Sequence, residues 1–467
     1  MDIFEKCRDF NPARLYGARG SRVYFRSLQP STRQGEVEID GRSVVMAGSN
    51  DYLGLAGDPR LAEAAVRAVR RYGTGCSGAR PLSGTRDIHE QLENSCAAFL
   101  GREAAVLAPS GFQTNLLLAG LLGKDDVVLG DRHNHASLVD AVRLSGAGYH
   151  RFRRSDVARA EQLFTEARPG AGRIIVTDGL FSMEGDLCDL PGITALAARH
   201  RARVVVDCAH DVGLLGATGR GAPEHFGLED RVDLVTATFS KSLGSAGGVL
   251  AGPAEVIDFV RWRARATVFT AAMAPPVAAA ALTALDIVRT EPERRRRALD
   301  VAERMHNGLR ALGYDTGRSV SPIIPVSVGD QDLCLALWHR LLDAGVYVNP
   351  VVAPGRPAGQ EILRVSFTPV HTDAQLDRAL DAFATAGRAA GVIPRTPPGS
   401  WTPVRIARPH SAPPQRTATV PAPARPVPAQ AQERAQAQAQ APAQAPAPAP
   451  APAPAPGPAR AASPQAR

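Results

Sequence analysis

Six short apolar runs, AAVLA, DVVLG, RIIVTD, ARVVVD, VDLVTAT and GVLAG, recur between residues 104 and 252, separated mostly by helical or loop segments. Runs of this length without polar alternation read as strands covered on both faces, and so as a mainly parallel sheet with helices packed above and below it. The neighbouring helical patterns agree. PRLAEAAVRAVRRYG carries apolar residues at helical spacing and stops at Gly73, and IHEQLENSCAAFLG repeats the pattern. Farther along, a helical stretch from Pro275 to about Leu312 leads into SPIIPVSVG, the helix DLCLALWHRLLDAG, the strands VYVNP and ILRVSFT, and a last helix from Asp373. That order describes a smaller α+β unit. The expected division is an N-terminal segment over 1–57, a large domain over 58–290, a small C-terminal domain over 291–394, and a tail over 395–467. The tail is so rich in Pro, Ala and Gln that it cannot bury a core and is expected to be disordered.

The formal charge of +8 invites a nucleic-acid partner, but its distribution argues against one. Eight arginines from Arg395 onward face the single acid Glu433, so the basicity belongs to the tail and the body is close to neutral. The six cysteines are scattered and form no C-x-x-C pair. They fit reduced thiols of a cytoplasmic protein better than a disulfide framework or a zinc site, and no metal is expected. The first residues, MDIFEKCRDF, lack the apolar core of a signal peptide. The most apolar stretch, 271–288, contains Pro275, Pro276 and Asp286 and reads as a buried helix rather than a membrane span.

Lysine is nearly absent from this chain: only Lys6, Lys124 and Lys241 occur, and arginine supplies the rest of the positive charge. Lys241 follows an apolar strand inside TATFSKSLGSAGG, among small residues. A lysine there suits a task arginine cannot perform, which is to lose its proton and attack a carbonyl. In VVVDCAHD, Asp207 ends a very apolar strand, and a carboxylate at such a place needs a cation to pair with. A protonated pyridine nitrogen is one such cation, although an aspartate capping the next segment would look the same. In APSGFQTN, Ser110 and Gly111 open a helix whose free N–H groups suit a phosphate. The histidines of DRHNHASL could lie over a flat ring, and Arg364 in ILRVSF could hold a carboxylate or form a structural ion pair.

Taken in order, SNDYLGL, YGTGCSGARPLSGTRDIHEQLE, SGFQTN, DRHNHASL, DGLFSMEGD and DCAHDVGLLGATGRG are followed by TFSKSLGSAGG, VFTAAMAP, SPIIPV, GVYVNP and LRVSFTPVHT. This series resembles the α-oxoamine synthases, and the resemblance covers about residues 2–391. The wording of TFSKSLGSAGG, VFTA and YVN is closest to the serine palmitoyltransferase-like branch, with 8-amino-7-oxononanoate synthase-like members nearby. The resemblance implies the fold-type I architecture of pyridoxal-phosphate transferases, with a mostly parallel large-domain sheet, helices on both faces and a smaller α+β C-terminal domain. It implies pyridoxal 5′-phosphate as cofactor, bonded by Lys241, with Asp207 on the pyridine nitrogen, His210 on the ring hydroxyl and His135 stacked over the ring. Ser110, Gly111 and Phe112 would lie near the phosphate, with Ser182 and Thr238 close to the cofactor. Thr270 would reach the phosphate from the other subunit of a homodimer, and Asn50 and Arg364 would face the substrate carboxylate.

The implied activity is that of a biosynthetic acyltransferase. It would condense serine, alanine or glycine with an acyl thioester, on CoA or an acyl carrier protein, with loss of CO2. Two other readings stay open on the residues alone. One is an aminotransferase or lyase on the same fold, which needs no thioester. The other is an interaction protein working through its tail, against which the full set of cofactor residues argues. Departures from the family pattern are Asp211 after the AH of DCAHDVG, Asp178 opening DGLFSMEGD, and VVAPGRP near the end of the body.

Overall fold

In the computed structural model, residues 2–8, 10, 23–154, 156–168, 170–396, 400 and 402–406 are described. Fourteen strands occur among them: β1 (Gln29–Pro30), β2 (Glu36–Ile39), β3 (Arg42–Met46), β4 (Ala104–Ala108), β5 (Val127–Asp131), β6 (Gly148–Phe152) and β7 (Arg173–Asp178) lie in the first part. They are followed by β8 (Arg203–Asp207), β9 (Leu234–Thr238), β10 (Gly248–Gly252), β11 (Ile324–Ser327), β12 (Val346–Tyr347), β13 (Asn349–Val351) and β14 (Ile362–Val365).

The six apolar runs are β4, β5, β7, β8, β9 and β10, and with β6 they form one seven-stranded sheet in the order β4-β10-β9-β8-β7-β5-β6. Strands β6, β5, β7, β8 and β9 are parallel, whereas β10 runs antiparallel to both β9 and β4. Every residue of β5, β9 and β10 is buried, as expected for strands sandwiched between helices. The sequence pattern misses β6, GYHRF, because it is an edge strand whose His150 and Arg151 face water and break the apolar run.

Helix Pro59–Tyr72 begins where the Asp58 carboxylate accepts the Arg60 N–H and ends at Gly73, which takes a positive φ of 81°. It packs against helix Pro275–Thr290, the apolar segment noted above, whose Ala278, Ala281 and Ala284 are fully buried. Two prolines at its start suit a helix N-terminus. No described helix is long and apolar enough to cross a membrane.

Two smaller sheets lie outside the large one. One has the order β11-β14-β13, and the other β1-β2-β3-β12, in which β12 pairs in parallel with β3. The N-terminal strands therefore share a sheet with residues three hundred positions later. Val23, Val45 and Ala47 pack into the same core as Trp338, Leu363 and Phe383. Treating 1–57 as a segment on its own does not describe this packing.

The expected boundary at residue 394 also moves. Val404 and Ile406 are buried against Leu299 and Ala302. Val404 exchanges two hydrogen bonds with the side chain of Asn307, its N–H donating at 2.8 Å and its carbonyl accepting at 3.3 Å, and the Thr402 carbonyl accepts from Arg310 at 3.1 Å. Two large apolar residues, Val404 and Ile406, lie in this short stretch, and composition averaged over the whole tail conceals them. The remainder of the tail, from residue 407, lies outside the described residues.

Candidate active site

The parallel strands β7, β8 and β9 all point their C-terminal ends at a cavity of about 250 Å³. Sheets of this kind bind ligands at that edge. Lys241 is delivered there by the connection between antiparallel β9 and β10. In this turn the Phe239 N–H bonds the Gly247 carbonyl at 2.9 Å and the Ser245 N–H bonds the Phe239 carbonyl at 2.8 Å. Gly247 sits at φ 98°, and a Cβ there would come within 2.2 Å of Met273 Cε, so a residue without a side chain closes the turn.

Lys241 Nζ lies 2.9 Å from His210 Nε2. On the other side of that ring, His210 Nδ1 lies 2.8 Å from Tyr52 Oη. The Tyr52 oxygen accepts from Arg364 Nη2 at 2.9 Å, and Arg364 Nε donates to the Ser182 carbonyl at 2.7 Å. Burial pushes the Lys241 ammonium below its ordinary value, against the pull of Asp207 and Asp178. Burial, followed by the charges of Lys241 and Arg364, lowers His210 far below the usual imidazole range. An amine that loses its proton readily stands beside a neutral imidazole.

A second chain of contacts runs beneath the cavity. Asp207 accepts from Asn115 Nδ2 at 2.6 Å and from the Ala209 N–H at 2.9 Å. Asn115 Nδ2 also donates to Ser137 Oγ at 2.8 Å, and Ser137 Oγ lies 2.7 Å from His135 Nδ1. The Ser137 N–H also points at His135 Nδ1, so this nitrogen is the acceptor and the ring proton sits on Nε2. Burial lowers His135 from its ordinary value, and the ring is neutral.

Ser110, Gly111, Phe112, His135, Thr238 and Asp207 line the cavity, as do His210 and Lys241. The other sequence-derived residues do not. Asn50 accepts from Tyr52 Oη at 3.2 Å, Ser182 contributes its carbonyl to Arg364, and Arg364 stands behind Tyr52. Thr270 Oγ1 accepts from Gln113 of the same chain at 3.3 Å. Tyr52, Asn115, Ser137 and Thr236 are not marked out by the sequence, and Asp178 stands out there only as a departure from the family pattern. Of these, Asn115 carried a usable signal, since it lies one helical turn beyond Gly111 on the helix Gly111–Leu116 and so faces the same way.

The residues present suit pyridoxal phosphate. Asn115 Oδ1 and Thr236 Oγ1 are buried at the cavity without a hydrogen-bond partner. A Cβ on Gly111 would come within 2.6 Å of Thr238 Oγ1, so glycine keeps the first turn of its helix close against the end of β9. The N–H groups of that turn have no acceptor within the helix. A reactive lysine, a buried aspartate and an anion cradle at the C-terminal edge of such a sheet define a fold-type I pyridoxal-phosphate enzyme.

The comparisons with known proteins narrow this class. Residues 42–383 match the aminotransferase class I and II family. A serine palmitoyltransferase of Sphingobacterium spiritivorum is 40% identical over 391 residues, covering 84% of this chain and 98% of that protein. An 8-amino-7-oxononanoate synthase of Symbiobacterium thermophilum is 41% identical over 389 residues, covering 82% and 99% respectively. Among solved structures, the Sphingomonas wittichii serine palmitoyltransferase superposes with a TM-score of 0.81 at 34% identity, covering 84% of this chain and all of that one. A structure described as SPT with PLP gives 0.80 at 33% identity, covering 84% of this chain and 99% of that one. The chain belongs to the aminotransferase class I and II family and, within it, to the α-oxoamine synthases, which are pyridoxal-phosphate acyltransferases.

Proposed function

We propose that this chain joins serine, alanine or glycine to an acyl thioester, carried on CoA or an acyl carrier protein. The products are an α-amino ketone, CO2 and the free thiol. The observation that carries the proposal is the placement of Lys241 Nζ, held by His210 at 2.9 Å, in one cavity with Asp207.

Pyridoxal phosphate, when bound, supplies an electrophilic carbonyl and a protonated pyridine ring that accepts the electron pair left on the substrate α-carbon. Lys241 is the amine that bonds the cofactor and, once released, takes the α-proton. Asp207 is the group that keeps the pyridine protonated, and the Asn115 and Ala209 N–H groups orient its carboxyl. The first turn of helix Gly111–Leu116 and the Thr238 hydroxyl hold the phosphate. His135, fixed by Ser137, would lie over the ring and keep water from the reacting carbon. Arg364, with Asn50 beside it, takes the substrate carboxylate until it leaves as CO2.

The active form is a homodimer in which Thr270 of the partner subunit contributes to each cavity. Supporting this, Phe269 and Trp262, close to Thr270 in sequence, are 75% and 69% exposed, which is unusual for side chains so large and apolar.

The similarity to serine palmitoyltransferases puts serine and a palmitoyl thioester first in the test. The cofactor spectrum of the holoenzyme is followed with serine, alanine and glycine, thioesters on CoA and on carrier protein are then added, and the product is weighed. A product carrying both the amino acid nitrogen and the acyl chain, less CO2, supports condensation. Release of a keto acid without thioester overturns it. Borohydride reduction and peptide mapping are expected to find the cofactor on Lys241; a label on Lys6 or Lys124 would overturn that role.

A further inference from the structure

We propose that the arginine-rich end of edge strand β6 docks the acidic surface of an acyl carrier protein, which delivers the acyl chain in place of CoA. The inference rests on the thioester reading above and names the donor which that reading leaves open.

A depression of about 580 Å³ opens beside β6, lined by Arg132, His150, Arg151, Arg153 and Arg159. All five side chains are exposed. Asp156 is the one acid among the described residues that line it. Its carboxylate is already engaged, capping helix Val157–Thr165 by accepting the Arg159 N–H at 3.1 Å. Arg132, Arg151 and Arg153 form no ion pair among the described residues, whereas the neighbouring Arg154 is held by Glu184 and Asp186. Unpaired positive charge gathered at one place on a nearly neutral body favours an acidic partner.

Position ties this patch to the reaction. β6 lies three strands from β8 in the large sheet, roughly 14 Å at the usual strand spacing, and Phe152 ends it in register with Asp131 of β5. Arg153 therefore leaves the sheet at the same C-terminal edge as Asp207 and Asp178. Arg132 starts the short loop that ends at His135 in the cavity. The acyl chain of a carrier protein hangs from a phosphopantetheine arm as long as about five extended residues, roughly 17 Å. An arm whose phosphate meets these arginines has the length to set its thioester in the cavity.

CoA carries the same arm, so the remainder of each donor decides between them. An adenine is held best by stacking on an exposed ring. The aromatic rings here are turned inward: Phe152 is 3% exposed, and a Cβ on Gly130 would come within 2.5 Å of the Tyr149 hydroxyl, so that ring packs over β5. Arginines spread over a strand end, a loop and a helix instead offer separate contacts to the carboxylates of a protein surface. Charges on an edge strand also discourage wrong pairing, but that purpose gives no reason for Arg132 and Arg159 to converge there from other elements.

The test uses the full holoenzyme. Calorimetric titration with an unacylated holo acyl carrier protein reads docking without turnover. Binding that weakens with added salt is expected in the parent, and no binding overturns the proposal. In the double variant Arg151→Glu, Arg153→Glu the affinity should fall by roughly tenfold to a hundredfold, whereas Arg151→Lys, Arg153→Lys should stay near the parent. Turnover is then compared on palmitoyl-CoA and palmitoyl acyl carrier protein, with the amino acid that changes the cofactor spectrum. The charge reversals should raise KM for the carrier thioester alone and leave kcat unchanged. A rise for both donors makes the patch a phosphate site shared with CoA, and a rise for neither leaves the arginines as guards of the edge; each overturns the proposal. Exchange of the amino acid α-proton separates the two readings. A parent that exchanges it but condenses neither thioester defeats the function proposed above, whereas one that condenses both donors with equal KM defeats only the docking surface.

Discussion

Asp178 and Asp207 stand opposite each other at the ends of adjacent parallel strands, in register, and the chain surrounds them differently. Asp207 receives a side-chain amide N–H and a backbone N–H, whereas Asp178 receives the backbone N–H of His135 at 2.8 Å. Burial, followed by the charge of Asp207, raises Asp178 well above the usual carboxyl range. Two buried carboxyls this close do not both ionise readily, and Asp178 is the one that keeps its proton. In the function proposed above, Asp207 is the carboxylate that would pair with the pyridine nitrogen.

Replacing Asp207 with Asn removes that charge and nearly preserves its shape. Cofactor binding is expected to survive. Exchange of the substrate α-proton should fall by orders of magnitude, matching the roughly 3–5 kcal/mol lost when one partner of a buried charge pair is removed. Deuterium exchange into serine, followed by NMR, measures this directly. Exchange at the parental rate would assign the electron-sink role elsewhere.

Arg364→Lys tests the carboxylate contact. The guanidinium already spends Nε on the Ser182 carbonyl, and lysine offers no second arm to hold a substrate at the same time. Amino-acid affinity, read by spectral titration with serine and alanine, should weaken by about 1.5–3 kcal/mol. Binding of the cofactor itself should not change. Equal affinities in parent and variant would make Arg364 a purely structural residue.

Asp211 predicts a pH dependence of stability. Burial raises its carboxyl from 3.8 to about 7. A carboxyl raised on folding binds its proton more tightly in the native chain, so its contribution is most favourable below the ordinary value and is lost as the pH climbs from about 4 to about 7. Asp211→Asn removes this loss. Between pH 5 and pH 7 the variant should gain up to about 2 kcal/mol relative to the parent in urea unfolding. Parallel stability curves for the two proteins would contradict the assignment.

The segment Thr402–Ile406 gives a fourth test. Chains ended after residue 394 and after residue 406 should differ in stability by about 2–4 kcal/mol, the worth of burying two β-branched side chains less the cost of ordering them. Calorimetry of both proteins measures the difference. Identical melting temperatures would mean that the contacts with Leu299 and Ala302 contribute nothing.

What the sequence reveals here follows the range of the forces involved. Buried strands, helix ends and the residues placed at strand termini are local features, so Lys241 and Asp207 can be picked out before any contact is known, while His210 comes from the family resemblance. The mainly parallel sheet follows from the same local evidence, and its fold-type I architecture from the family resemblance. Long-range partners leave no such trace. Tyr52 meets His210 and Arg364 across most of the chain, and nothing in SNDYLGL announces either contact. The edge strand β6 escapes because its polar residues face solvent, and Val404 and Ile406 escape because the tail around them dominates its average composition.

The parallel pairing of β3 with β12 has a consequence for how this protein is made. Val44, Val45 and Ala47 leave the ribosome long before Val346 does. At roughly 5–20 residues per second, about fifteen to sixty seconds separate the emergence of the two strands. Throughout that interval an apolar strand near the N-terminus waits with one edge unpaired. Synthesis, more than refolding of the finished chain, is when this protein is open to wrong partners and most in need of a chaperone.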